Sequence, residues 1–407
     1  MIKIYKLFKL LNKIKFLEKK KYKDHLIIYD CTSFNELELY LLKDLNYFII
    51  SNRIEKIKIY FSFGFLFYFI KRLKNFVFNK EIFLQDVYFL SLIEYIQPKV
   101  VLTAIDVSPQ LSKISKYSKK NIKYITLQLT NLPQRNYITY LFKNNLLKKN
   151  LNNDYYFPIY LGFGNYQKKN MEINQVKFDK FTDVGSLKLA NFIKSNNLNL
   201  NNKIYDICLI SDINAYTDKF GPHNIQFPNL DNIEQSFIKL TKWTIKLVKE
   251  QNLKFVFVFK RKIDDIESFK EENLYFKKLL NKEEYDFLIQ NSSYKSKNNP
   301  YNSYTISFRS KLSLAVTSTL LTENFIYGNK VLSCNFTGLD VFDFPINGNC
   351  SLKSCNYEIF REKILKVLKL DKDEYFNNLS EDRNYLGRFT SPEKTFNLIK
   401  DEIIKFL

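Results

Sequence analysis

Short apolar runs that alternate with amphipathic stretches constrain this chain more than any other feature. HLIIYD (25–30), YFIIS (47–51), KVVLTAID (99–106) and IKYITLQL (122–129) are too short for globular helices and rich in β-branched and aromatic residues, so each reads as a buried strand. Between them, SFNELELYLLKDL (33–45), whose Ser33 and Glu36 have capping-box spacing, a region around 64–97, and PQLSKISKYS (109–118) read as helices. Strand and helix in turn predict parallel pairing with helices on both faces of the sheet.

The alternation pauses at KNNLLKKNLNN (143–153), resumes with YYFPIYLGFG and VKFDKFTDVGSLK, and restarts after the Asn-rich KSNNLNLNNK (194–203). YDICLISD (205–212) is a fresh first strand, followed by a helix around Trp243, the strand LKFVFVFK (253–260), a charged helix near 267–280, then LSLAVTST and KVLSCNF. A chain of 407 residues is long for one core. The expected organisation is an N-terminal α/β domain over 1–193, a linker at 194–203, a C-terminal α/β domain over 204–390, and a last helix at 391–407 with Ser391 as cap and Pro392 in its first turn. Open parallel sheets hold ligands beyond the carboxyl ends of their strands, so two facing doubly wound domains predict an interdomain cleft with the functional residues at strand exits.

Charge and rare residues narrow the chemistry. The formal charge of +21 suits an acidic partner, although the wealth of Lys, Asn, Ile, Phe and Tyr is equally what AT-rich codons produce. Five cysteines at 31, 208, 334, 350 and 355 form no Cys-x-x-Cys pair and fit a reducing cytoplasm. With two histidines, His25 and His223, a metal site is not expected. The longest apolar span, IYFSFGFLFYFI (59–70), falls short of a bilayer crossing and reads as buried strand and helix. Lysines 3, 6, 9 and 13 recur through the basic amphipathic segment 1–23. A helix there would either lie on an anionic membrane face or pack on its own domain. Lysines interleaved with aromatics would mark a nucleic-acid binder, but here the aromatics sit inside strand-like runs, so nucleic acid is not the favoured partner.

The stretch TSTLLTENFIYGNKVL (317–332) is the most pointed local signal. A strand ending in hydroxyl residues leads into a short helix that stops at Gly328. Ser318 and Thr319 then fall at a helix N-terminus, where free N–H groups and the helix dipole favour phosphate. Glu323 lies one turn further on the same face, within reach of a ribose. A capped helix with a solvated Glu would have the same spacing.

Ser-Thr, Glu and Gly-x-Lys-Val between two late strands resemble the donor-binding segment of GT-B-type glycosyltransferases. IIYD, Arg53-x-Glu55, PKVVLTAID, the LQLTN strand exit, YLGFG and DVGSLK are together similar to a family of bacterial surface carbohydrate (O-antigen) biosynthesis proteins, in preserved order from about 25 to 370. Departures are Gln128-Leu-Thr-Asn131 with Arg135 further on, where that family has a compact Gln-Asn-Gly with a nearby Arg, and Val107 after the strand's Asp, where it has Asn. The resemblance implies two Rossmann-like domains and transfer of a sugar from a nucleotide diphosphate sugar to a glycan or lipid-linked acceptor, with no added cofactor, at the cytoplasmic face of the membrane. Sugar-nucleotide epimerases and glycerol-phosphate transferases share this fold and are the alternative.

Such a transfer needs a base for the acceptor hydroxyl and cations for the departing diphosphate. Asp106 is the first candidate base and Asp30 the second, each at a strand exit and each equally suited to cap a helix. Gln128, Asn131 and Arg135 are candidates for the acceptor side. On the donor side, Lys260 and Arg261, Lys188 after Gly185-Ser186, and Arg309 beside the donor segment are the candidate phosphate partners. Gly185-Ser186 suits a hinge as well as a phosphate contact.

Overall fold

The computed structural model describes residues 14–16, 26–29, 34–50, 59–77, 84–105, 109–118, 121–130, 156–173, 176–196, 199–212 and 230–407. The described residues up to Leu129, those from Tyr156 to Lys194, and Arg388–Leu407 form one compact unit; Ser195–Gly387 form a second.

The first unit runs β1 (Ile14–Phe16), β2 (Leu26–Tyr29), α1 (Phe34–Glu38), β3 (Tyr47–Ile50), β4 (Ile59–Phe61), α2 (Phe63–Val77), α3 (Leu84–Ile96), β5 (Val100–Thr103), α4 (Pro109–Tyr117), β6 (Lys123–Leu127), β7 (Tyr156–Gly162), α5 (Asn165–Ile173), β8 (Lys177–Asp183) and α6 (Leu187–Ser195). Its sheet has the order β3-β2-β5-β6-β7-β8, and every pairing is parallel. Alternation of side chains sends Leu26, Ile28, Val100 and Leu102 to one face and Ile27, Tyr29 and Val101 to the other. The first face is covered by α6 and by Phe396, Ile399 and Ile403, the second by α2, α3 and α4. Those three residues belong to the chain's last helix, so 392–404 is part of this unit's core and not an appendage.

Ile14–Phe16 pairs in parallel with Ile59–Phe61. A helix through the whole basic segment is therefore not what forms: these three residues are extended, with β4 as their ladder partner. The apolar span at 59–70 is also only half inside. Tyr60 and Phe65 are buried, but Phe63, Phe67 and Ile70 of α2 are 79%, 69% and 49% exposed.

The second unit runs β9 (Tyr205–Ile210), α7 (Leu230–Gln251), β10 (Phe255–Lys262), α8 (Ile266–Leu279), α9 (Lys282–Gln290), β11 (Ser292–Lys295), α10 (Asn302–Phe308), β12 (Ser310–Ala315), α11 (Thr319–Tyr327), β13 (Val331–Cys334), β14 (Ser351–Leu352), α12 (Tyr357–Lys369) and α13 (Lys372–Asn377). The chain then ends in α14 (Pro392–Ile404), which Ser391 caps by accepting the Lys394 N–H. The second sheet, also parallel, has the order β11-β10-β9-β12-β13-β14. Numbered within the unit this is 3-2-1-4-5-6, the doubly wound order whose direction reverses between the first and fourth strands. The reversal lies between β9 and β12 here, and between β2 and β5 in the first sheet. Among the described residues no helix is long and apolar enough to cross a membrane, and no group of three His, Cys, Asp or Glu is placed to hold a metal ion.

Candidate functional site

At the reversal of the second sheet, the exits of β9 and β12 are tied by one side chain. Asp212, two residues past β9 and buried, accepts the backbone N–H groups of Val316 (2.6 Å) and Thr317 (2.7 Å) on one carboxylate oxygen. These bonds fix the turn that delivers Ser318 to the start of α11. Burial raises the Asp212 pKa, while the Thr317 N–H, the Lys260 charge and the Val316 N–H oppose that rise. Lys260 is its electrostatic counterpart: burial lowers the ammonium pKa, and Asp212 pulls it back up. Glu272, buried on α8, organises the β10 exit by accepting the Lys260 N–H (3.0 Å), the Arg261 N–H (2.8 Å) and the Ser211 hydroxyl. Lys260 and Arg261 thus reach this neighbourhood as their positions at a strand end implied. Asp212 and Glu272, which organise it, were missed, although YDICLISD ends in Asp212 in full view.

Ser318 is the N-cap of α11 with extended backbone, and its side chain makes no capping hydrogen bond. Ser318 and Thr319 are half-buried. Gly328 ends the helix in left-handed conformation at φ 99°. The Lys of Gly-x-Lys has a structural use: Lys330 Nζ donates to the carbonyls of Val367 (2.8 Å), Leu368 (3.2 Å) and Leu370 (2.6 Å) and so closes the end of α12. Glu323 is not a solvated side chain. It is fully buried, and its carboxylate accepts the Tyr304 hydroxyl at 2.6 Å, joining α10 to α11.

Arg309 requires correction. It precedes β12, its carbonyl accepts the Ile204 N–H and its Nε donates to the Asn202 carbonyl. A six-residue strand separates it from Thr317, a distance of roughly 20 Å, so nearness in sequence places it at the wrong edge of the sheet.

Asp30, Asp106, Asn131 and Arg135 lie outside the described residues. Asp30 directly follows β2 and Asp106 lies three residues past β5, the two strands that flank the reversal. Beside it, the Tyr29 hydroxyl donates to Gln110 (2.6 Å), whose amide donates to buried Asp86 (2.9 Å). Gln128 is fully buried, and its side-chain oxygen accepts the Phe163 N–H at 2.8 Å. It locks the β7 exit and has no surface from which to meet an acceptor in this conformation.

The DVGS turn is likewise built for packing. Ser186 is buried and its hydroxyl accepts the Leu189 N–H at 3.2 Å, capping α6, the helix that carries half-buried Lys188. Gly185 has φ 78°, and a Cβ there would lie 2.3 Å from the Arg388 carbonyl oxygen. Neither residue offers its side of the turn to a phosphate. Burial raises the Asp183 carboxyl to about 6, against the Arg388 charge and the Gly185 N–H. A raised carboxyl means the folded state holds more protons between pH ~4 and ~6, so stability falls as pH rises through that window. Urea midpoints should therefore drop between pH 4.5 and 7, and Asp183→Asn should flatten that drop.

Two parallel doubly wound sheets in one chain define the GT-B type of fold, with two Rossmann-like domains. A protein of Listeria monocytogenes assigned as a UDP-N-acetylglucosamine 2-epimerase has it too: TM-score 0.51, 10% identity, 94% of this chain and 97% of that one covered. Likeness extends to the UDP-GlcNAc 2-epimerase of Neisseria meningitidis bound to UDP-GlcNAc (0.48, 12%, 93% and 99%) and to the wall teichoic acid polymerase TagF (0.45, 11%, 96% and 90%). At these identities the likeness is one of fold. No family model matches the chain, and no curated protein matches it in sequence.

Proposed function

We propose that this chain is a glycosyltransferase-like enzyme that takes a sugar from a nucleotide diphosphate donor during bacterial surface polysaccharide biosynthesis. The observation that carries the reading is the start of α11: it stands at the strand-order reversal of the second sheet, with a Ser318 hydroxyl that does not cap its own helix. Backbone N–H groups at such a position are suited to a diphosphate. Ser318 and Thr319 are assigned to that diphosphate, Lys260 and Arg261 to its charge, and Asp106, with Asp30 second, to the acceptor's proton. Glu323 supports the site through Tyr304. Titration calorimetry with uridine and cytidine diphosphate sugars tests this. Saturable binding is expected, and Ser318→Glu, which sets a carboxylate against the phosphates, should weaken it at least about tenfold. Conversion of the donor to its epimer without any acceptor would replace transfer by epimerisation.

A peripheral place on the anionic inner leaflet belongs to the same reading, and α2 supports it better than the first residues do. Phe63, Leu66, Phe67 and Ile70 recur at helical spacing as one exposed apolar stripe, with exposed Lys71 beside it. Burying a Phe side chain is worth about 1.5–3 kcal/mol. The double variant Phe63→Ser, Phe67→Ser should therefore lose at least about tenfold in co-sedimentation with phosphatidylglycerol vesicles. Unchanged co-sedimentation would remove α2 from the reading.

A further inference from the structure

A polar cavity of about 330 Å³ lies in the second unit where α11 ends, away from the β9–β12 reversal. Its walls are Tyr327, Gly328, Lys372, Phe376, Leu379 and Arg383, with the carboxylates of Asp373 and Asp382 at its edge. Since α11 begins at Thr319 and ends at Tyr327, the helix itself separates the two places by about 13 Å.

The two cations are the informative groups. Neither side chain of Lys372 or Arg383 makes an ion pair or hydrogen bond among the described residues, although Asp373 and Asp382 also line the cavity; Asp382 instead accepts the Asn384 N–H at 2.7 Å. The Arg383 guanidinium lies 5.7 Å from the centre of the Phe376 ring and against Gly328, where a Cβ would come within 2.2 Å of Nη1. A glycine already required by φ 99° thus also gives the guanidinium its room. Lys372 sits close enough to Arg383 for that charge, after burial, to lower its ammonium pKa. Behind them Lys203, with a pKa lowered to about 8 by burial and by the charges of Lys372 and Lys330, adds to the positive field, its own Nζ held by Asn329 and the Phe308 carbonyl. Two clustered cations without carboxylate partners are arranged for an external oxyanion. The Phe376 and Tyr327 rings supply flat apolar walls, and the two carboxylates supply acceptors for hydroxyl groups.

We infer that this cavity binds an anionic monosaccharide unit, its phosphate or carboxylate between Lys372 and Arg383 and its hydroxylated ring against Phe376 and Tyr327. The volume falls at the small end of ligand pockets and suits one sugar ring with one oxyanion. This site is independent of the donor site proposed above.

The test is titration calorimetry on the full chain at low ionic strength with glucose 1-phosphate, glucuronate, glucose and inorganic phosphate. At least one charged sugar should bind saturably, with glucose and inorganic phosphate each weaker by tenfold or more, and the tighter of the two charged sugars identifies the oxyanion. Arg383→Gln and Lys372→Gln should each weaken that binding at least tenfold. Because neither side chain makes a hydrogen bond or ion pair among the described residues, both variants should stay within a few degrees of the wild-type melting temperature, which separates lost binding from lost fold. Affinity unchanged in both variants, inorganic phosphate as tight as the sugar, or no saturable binding would overturn the inference. A Ser318→Glu chain that keeps this binding while its affinity for nucleotide sugars falls would separate the two sites.

Discussion

Replacing Asp212 by Ala is expected to lower the unfolding free energy by about 2–4 kcal/mol and to abolish nucleotide-sugar binding. The variant leaves the Val316 and Thr317 N–H groups without their acceptor in a buried turn, and it removes the larger of the two carboxylate charges, Asp212 and Glu272, that act on Lys260. Each unmet buried donor costs about 1–3 kcal/mol, and release of a buried carboxylate offsets part of that. Asp212→Asn retains an oxygen for both donors and should keep most of the stability. Urea unfolding of the three chains measures the difference. Equal midpoints for Ala and wild type would show that the turn does not depend on this carboxylate.

Gly185→Val should be the most damaging substitution in the first unit. The new Cβ would meet the Arg388 carbonyl oxygen at 2.3 Å, and φ 78° is unfavourable for a β-branched residue. The obstacle is backbone and is held from its other side, since the Arg388 N–H donates to the Phe163 carbonyl at 3.0 Å. Clash and strain together cost about 3 kcal/mol or more, or roughly 10 °C in melting temperature for a unit of this size. A melting temperature within a degree or two of wild type would mean that the segments at 185 and 388 part freely, as a hinge requires.

The fold was legible because its signals are local. Runs such as KVVLTAID and LKFVFVFK are strands because β-branched and aromatic side chains pack on a buried pleated surface; β5 falls inside the first, and β10 starts inside the second and runs two residues past it. Gly328 and Ser391 announce a helix end and a helix start by conformational preference and hydroxyl chemistry, both visible from a few residues. Positions set by tertiary pairing were not visible. Ile14–Phe16 has a helical neighbourhood in sequence but a strand partner 45 residues away, and no periodicity encodes that partner. Glu323 has the spacing of a ribose ligand, yet Tyr304 on another helix takes it inward. Arg309 is near the donor segment in number only, because a strand converts a short sequence interval into about 20 Å. Asp212 was overlooked for the complementary reason: the residue that most defines the reversal acts through backbone groups more than 100 positions later.

Seating of a nucleotide diphosphate at the start of α11, as proposed above, should be visible in amide hydrogen exchange of the full chain. With a uridine or cytidine diphosphate sugar at a concentration that just saturates the wild type, exchange at residues 316–323 should slow in the wild type and slow much less in Ser318→Glu. Saturable binding that leaves 316–323 unprotected, or no binding by any nucleotide diphosphate sugar, would rule out a diphosphate seat at the start of α11.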